Sequence, residues 1–204
     1  MRTPKSDDGP LRILGIVGSL RRDSYNRSLV EAARELAPSG MEVILADLYD
    51  IPLYNADLDN DVDRPAAVEA FKQRIAEADG LLIAVPEYNH GIAGVLKNAI
   101  DWASRPGGSS PMKDKPAALM GATTGMWGTS RAQDQMRIVL DAIGVWTVKR
   151  PLVLVRQAAD KFDESGRLVD GTTRKFVADL LVSLYELTER LRISTPAEKQ
   201  IAVD

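Results

Sequence analysis

Short apolar runs at residues 13–17, 43–46, 81–85, 117–120 and 152–155 recur along the chain, and segments of helical spacing lie between them. Runs of four or five apolar residues without polar alternation read as strands buried on both faces. Between them, apolar positions fall three and four residues apart: Leu29, Val30, Ala33, Leu36 and Ala37, then Val68, Phe71 and Ile75, then Val95, Leu96, Ala99, Ile100 and Ala103. Two later stripes, Ala132, Met136, Val139, Leu140, Ile143 and Phe176, Leu180, Leu184, Leu187, Leu191, complete the pattern. Strand and helix in alternation predict an α/β fold: a five-stranded parallel sheet in order 2-1-3-4-5, covered by helices on both faces. Ser24, Thr129 or Ser130, and Thr172 are placed to cap helix starts, and Pro65 suits a first helical turn.

With 204 residues, 45% of them apolar, the chain is long enough to close one sizeable core without disulfides or metal. One domain is expected over residues 11–192, with an N-terminal arm at 1–10 and a polar tail at 193–204. A net charge of −3 supplies no basic field for nucleic acid and no polybasic membrane patch. The chain has no cysteine and one histidine, His90, which excludes thiolate catalysis, a zinc thiolate site and a His cluster. No signal-peptide core or membrane-length apolar run is present, so a cytoplasmic protein is expected, with neither nucleic acid nor membrane as partner.

In a parallel sheet, ligands bind beyond the carboxyl ends of the strands where strand order reverses. Three loops rich in Gly, Ser, Thr and Asn follow the first, third and fourth strands: 18–26, 86–94 and 121–130. The first, Gly18-Ser19-Leu20-Arg21-Arg22-Asp23-Ser24-Tyr25-Asn26, places hydroxyls, cations and an amide just before a helix, where the helix dipole favours an anion. It lacks the three glycines of a dinucleotide loop and the Lys-Ser/Thr of a Walker loop, and suits a phosphate monoester. Ser24 alone has the simpler reading of a helix cap. The second loop, Pro86-Glu87-Tyr88-Asn89-His90-Gly91, offers an aromatic, an amide and backbone donors for a flat heterocycle; alternatively Asn89 caps the next helix and Glu87 contacts a cap or a partner. In the third, 121–131, backbone amides can meet a ring carbonyl, while Trp127 serves packing or an interface.

The acidic run Asp57, Asp59, Asn60, Asp61 and Asp63 fails the register of a calcium loop. Val62 falls where glycine is required and Val68 where the bidentate glutamate belongs, so a solvated acidic loop is expected.

Together, G-S-L-R-R-D-S-Y-N at 18–26, P-E-Y-N-H-G-I at 86–92, V-L-K-N-A-I-D-W at 95–102 and G-A-T-T-G at 121–125 resemble the NAD(P)H-dependent FMN reductase family, over roughly residues 11–190. The resemblance implies a flavodoxin-like three-layer sandwich that binds FMN and works as a homodimer or homotetramer, with the helix over 92–102 as candidate interface. It implies that Ser19, Arg21, Ser24 and Asn26 hold the FMN phosphate with Tyr25 nearby. Pro86, Glu87, Tyr88 and Asn89 would line the isoalloxazine, and Ala122, Thr123, Thr124 and Gly125 would cover its pyrimidine side. Lys97, Asn98, Asp101 and Trp102 belong to the family pattern and are expected to serve structure and assembly. The implied activity is two-electron transfer from NADPH or NADH through FMN to flavin, quinone, azo or metal-oxyanion acceptors in a ping-pong cycle. It requires no catalytic side chain and no metal, because the cofactor carries the chemistry. A flavodoxin-type one-electron carrier and an FMN-binding regulatory module are the alternatives; the near-neutral charge weighs against the first.

Overall fold

The computed structural model describes residues 9–194, so the arm up to residue 8 and the tail from 195 lie outside the described residues. In chain order the main elements are β1 (Leu11–Val17), α1 (Tyr25–Leu36), β2 (Met41–Ala46), α2 (Ala66–Glu77), β3 (Gly80–Ala84), β4 (Glu87–Tyr88), β5 (Gly91–Ile92) and α3 (Gly94–Ala103). They continue with β6 (Pro116–Ala122), α4 (Ser130–Ala142), β7 (Trp146–Thr147), β8 (Val153–Val155) and α5 (Gly171–Ser194). The main sheet is parallel in order β2-β1-β3-β6, and both β7 and β8 pair with β6.

The unbroken apolar runs follow from burial on both faces. Ile13 and Val17 of β1, with Leu82 and Ala84 of β3, enter one core with Leu29, Val30 and Ala33 of α1 and Val177, Leu180, Leu181 and Leu184 of α5. Their chain neighbours Leu14, Ile16, Leu81 and Ile83 enter the other core, with Phe71 and Ile75 of α2, Leu96 and Ile100 of α3, and Met136 and Leu140 of α4. Successive strand residues point to opposite faces, so both must be apolar.

The fifth strand differs from the single run expected at 152–155. β7 pairs with Pro116 and Ala117 at the start of β6, and β8 pairs with Met120, Gly121 and Ala122 at its end. Between them Pro151 has no N–H to donate, and the ladder lapses after Val148, whose N–H reaches the Ala117 carbonyl at 2.8 Å. Residues 86–94, read as a plain loop, contain the antiparallel pair β4–β5.

The helix starts also refine the expectation. Ser24 caps α1, its Oγ accepting from the Asn26 N–H at 3.3 Å. Pro65 sits one residue before α2, and α5 is capped by Asp170 rather than Thr172: the Asp170 carboxylate accepts from the Thr173 N–H at 2.8 Å and from its hydroxyl at 2.6 Å. Carboxylate outcompetes hydroxyl at this position because it also meets the positive end of the helix dipole. Thr129 precedes α4 with φ 66° and makes no side-chain cap. Among the described residues, no helix is long and apolar enough to cross a membrane.

Candidate functional site

The carboxyl ends of β1, β3 and β6 bring the three loops together. Helix α1 leaves β1 on one face of the sheet while α2 and α3 cover the other, so the crevice beyond β1 and β3 is the point where the chain switches direction. The loops are joined at close quarters. The Gly18 N–H donates to the Ala84 carbonyl at 3.0 Å, and the Val85 N–H to the Met120 carbonyl at 2.8 Å. A Cβ at Gly18 would lie 2.6 Å from Pro86 Cδ and 2.8 Å from the Ala84 oxygen, so only glycine lets the first loop leave the sheet here. At Gly121 a Cβ would lie 2.0 Å from Thr129 Oγ1 and 2.6 Å from the Val85 oxygen, which ties the third loop to the second in the same way.

In the first loop Ser19 and Ser24 are buried, whereas Arg21 and Arg22 are exposed. Ser19 Oγ accepts from the Arg21 N–H at 3.3 Å, and the Arg21 guanidinium donates to the Asp23 carbonyl and lies 5.7 Å from the centre of the Tyr25 ring. Tyr25 in turn packs on Phe162, with ring centres 5.3 Å apart. The first turn of α1 contains no acidic residue, so two buried hydroxyls and the exposed Arg21 guanidinium gather at the positive end of the helix. Asn26 lies apart from this cradle: its amide nitrogen donates to the Ala122 carbonyl at 2.9 Å and its oxygen accepts from the Ala122 N–H at 3.0 Å.

In the second loop Asn89 and His90 adopt φ 50° and 62° between β4 and β5. Two left-handed residues joining paired strands form the tight hairpin for which asparagine is suited. Asn89 therefore does not cap α3, whose cap position is Ala93. Pro86 is buried, while Tyr88, Asn89 and His90 are exposed at the rim. The Glu87 carboxylate turns away from the crevice: Oε2 accepts from the N–H groups of Arg131 and Ala132 at 3.1 and 3.2 Å, and Oε1 lies 3.5 Å from His90 Nδ1. It supplies the cap that Thr129 does not.

In the third loop the Thr123 N–H donates to Val155 at 2.9 Å, and Thr123 Oγ1 accepts from the Gly125 N–H at 3.2 Å. Thr124 and Gly125 are exposed. Trp127 is exposed too, with the Arg131 guanidinium 4.2 Å above its ring.

The family-pattern residues Asn98 and Trp102 on α3 hold the segment that follows β2. Asn98 Nδ2 and Trp102 Nε1 both donate to the Pro52 carbonyl at 2.8 Å, and Asn98 Oδ1 accepts from the Tyr54 N–H at 2.8 Å. Together they clamp the segment after β2. Lys97 pairs with Asp101 at 2.7 Å on the outer side of the helix. The acidic run is also organised: Asn60 accepts from the N–H groups of Val62 and Asp63, and Arg64 pairs with Asp59 and Glu69. Phe162, and Tyr49, whose hydroxyl donates to the Leu20 carbonyl at 2.7 Å, brace the first loop; neither carries a local sequence signal.

Residues 11–160, which contain all three loops, match the family model of the NADPH-dependent FMN reductases. The chain belongs to this family. It is 46% identical over 187 residues to an NAD(P)H-dependent FMN reductase of Pseudomonas aeruginosa, covering 92% of this chain and 99% of that one. It is 44% identical over 167 residues to a 2-hydroxy-1,4-benzoquinone reductase of Burkholderia, covering 82% and 90% of the two chains. Among solved structures, the flavoenzyme NAD(P)H:(acceptor) oxidoreductase FerB of Paracoccus denitrificans superposes with a TM-score of 0.80 at 34% identity over 88% of this chain and 98% of that one. The donor set fits the family's cofactor. Buried hydroxyls, helix N–H groups and an exposed guanidinium suit a phosphate monoester, and the hairpin and third loop beside them carry exposed Tyr88, Asn89, Thr124 and Gly125.

Proposed function

We propose that this chain is a reductase that draws two electrons from NADPH or NADH and delivers them, through FMN held at the crevice, to small-molecule acceptors, quinones and free flavins first among them. The observation that carries this reading is the joining of three donor-rich loops at the ends of β1, β3 and β6, with the anion cradle at the α1 N-terminus on one side. The named activities of the relatives support the quinone and flavin acceptors. Azo compounds and metal oxyanions complete the acceptor range.

FMN, when bound, supplies the hydride-accepting ring nitrogen and returns both electrons to the acceptor. The chain's own part is positional. Ser19, Ser24 and the first N–H groups of α1 would hold the phosphate, with the exposed Arg21 guanidinium beside them to pair with its charge. Pro86 and the backbone of Glu87, Tyr88 and Asn89 form one wall for the ring. The third loop over 122–125 would form the other, and because the N–H groups of Ala122, Thr123 and Gly125 are held within the protein, the Thr124 N–H and the hydroxyls of Thr123 and Thr124 are the donors it would offer to the ring edge that gains negative charge. Tyr88 stands exposed at the rim of the first wall, and a ring held there with one face toward solvent would meet nicotinamide and acceptor in turn, as a ping-pong cycle requires. The enzyme acts in the cytoplasm as a homodimer or homotetramer, with the face around α3 as the contact.

Purified protein titrated with FMN is expected to bind one equivalent and turn yellow, to bleach on anaerobic addition of NADPH, and to recover its colour when a benzoquinone is added. Protein that binds no FMN would overturn the reading.

A further inference from the structure

We infer that Asn26 is a positioning residue for the ring end of the flavin, acting through the backbone of Ala122 rather than on the phosphate. The inference rests on the proposed FMN site and refines the role that the family pattern implies for this residue.

The geometry comes from the way the sheet ends. Along β6 the backbone groups of alternate residues face the same neighbour. The Met120 carbonyl faces β3, where it accepts from the Val85 N–H at 2.8 Å. Two residues on, Ala122 turns its N–H and C=O to that same side, but β3 has left the sheet: Pro86 follows Val85 and the chain turns into the β4–β5 hairpin. The Thr123 N–H, of opposite parity, reaches Val155 on the other side at 2.9 Å. Ala122 would thus be left with two buried backbone groups lacking a strand partner.

The Asn26 carboxamide fills that place. Its nitrogen donates to the Ala122 carbonyl at 2.9 Å and its oxygen accepts from the Ala122 N–H at 3.0 Å, across 96 residues of sequence. A carboxamide carries the same donor and acceptor as a peptide group, so the side chain extends the ladder by one rung where no strand remains. Asn26 is only 5% exposed, and its own backbone N–H is held by Ser24 Oγ, which fixes the side chain to the first turn of α1. The amide is thereby spent on the third loop. It ties the phosphate cradle at 19–25 to the third loop at 122–125, the two parts between which the flavin would fit. A pair of buried hydrogen bonds that preorganises a binding loop appears in the affinity for whatever that loop touches.

The test uses FMN and riboflavin, which share the ring and differ in the phosphate. Binding of each is measured by fluorescence quenching or calorimetry for the natural chain, Asn26→Ala, Asn26→Asp and, as phosphate control, Arg21→Ala. The Asp variant keeps an acceptor for the Ala122 N–H but sets oxygen against the Ala122 carbonyl. Both Asn26 variants are expected to weaken FMN and riboflavin by a similar factor, about tenfold or more. Hydrogen exchange at the Ala122 amide should quicken in Asn26→Ala, and the bound flavin's absorption band should shift. Arg21→Ala should weaken FMN alone. Loss confined to FMN in the Asn26 variants, or an Ala122 amide as protected as before, would overturn the positioning role and leave the FMN site standing. Failure of the natural chain to bind either flavin would overturn the site itself, and this role with it. Should Asn26→Ala not fold, Asn26→Asp decides between the two patterns.

Discussion

The Glu87 carboxylate and the Arg131 backbone are joined across 44 residues by a hydrogen bond of 3.1 Å, so the hairpin of the second loop caps the helix that follows the third. The same oxygen accepts from Ala132 at 3.2 Å, and the side chain is only 9% exposed. Replacing Glu87 with Ala removes both acceptors from a helix start that has no other side-chain cap, at a cost of about 1–2 kcal/mol. Glu87→Gln, which keeps an acceptor oxygen but not the charge, should lose less. Urea unfolding of the two variants at one pH measures the difference, and equal stability of Glu87→Ala and the natural chain would contradict the cap.

Trp102 is fully buried, with its indole N–H on the Pro52 carbonyl and its ring 4.8 Å from that of Tyr54. Trp102→Phe keeps much of the packing and loses the hydrogen bond, while Asn98 still serves the same carbonyl. A loss of about 1 kcal/mol is expected, against about 3–5 kcal/mol for Trp102→Ala. Thermal unfolding should rank the natural chain, Phe and Ala in that order.

Gly121→Ala places a methyl against Thr129 Oγ1 and the Val85 carbonyl at distances no side chain tolerates. Because one of the two is backbone, relief requires β6 to part from the second loop. The variant should lose about 2–3 kcal/mol or more and bind FMN less tightly even where it folds. Gly94→Ala, where a Cβ meets nothing within 4 Å, is the control and should do neither.

The start of α5 makes stability depend on acid. Hydrogen bonds from the Thr173 hydroxyl and N–H, and then from Lys161 at 3.1 Å, hold the Asp170 carboxyl below its ordinary range. A carboxyl with a lower value in the folded than in the unfolded chain stabilises the fold at neutral pH. That contribution starts to fall near pH 4, where the unfolded carboxyl takes its proton, and is gone below the native value. Unfolding measured from pH 7 down to pH 2 should therefore show a shallower loss for Asp170→Asn than for the natural chain, starting from a lower stability at pH 7.

The parts of the fold set by local pattern were legible in the residues. Strands β1, β2, β3 and β6 carry unbroken apolar runs because both faces are buried, and Ser24 caps α1 as its type and place suggest. The convergence of the three loops could be read for the same reason. What escaped depends on partners far apart in sequence. Nothing near Glu87 announces that its carboxylate serves α4, nor does anything near Asn26 point to Ala122. Lys115, charged yet 2% exposed, is buried just before β6 because the carbonyls of Ala76 and Ala78 at the end of α2 lie within its reach. The hairpin β4–β5 was hidden because its strands are two residues each, too short for alternation to show.

The divided fifth strand has a bearing on how copies of this chain can meet. A sheet border normally offers a row of free peptide groups on which a foreign strand can template itself. Here that border consists of a two-residue and a three-residue piece separated by Pro151, so an incoming strand would find no continuous register to copy. Cross-β growth is blunted on that side of the sheet.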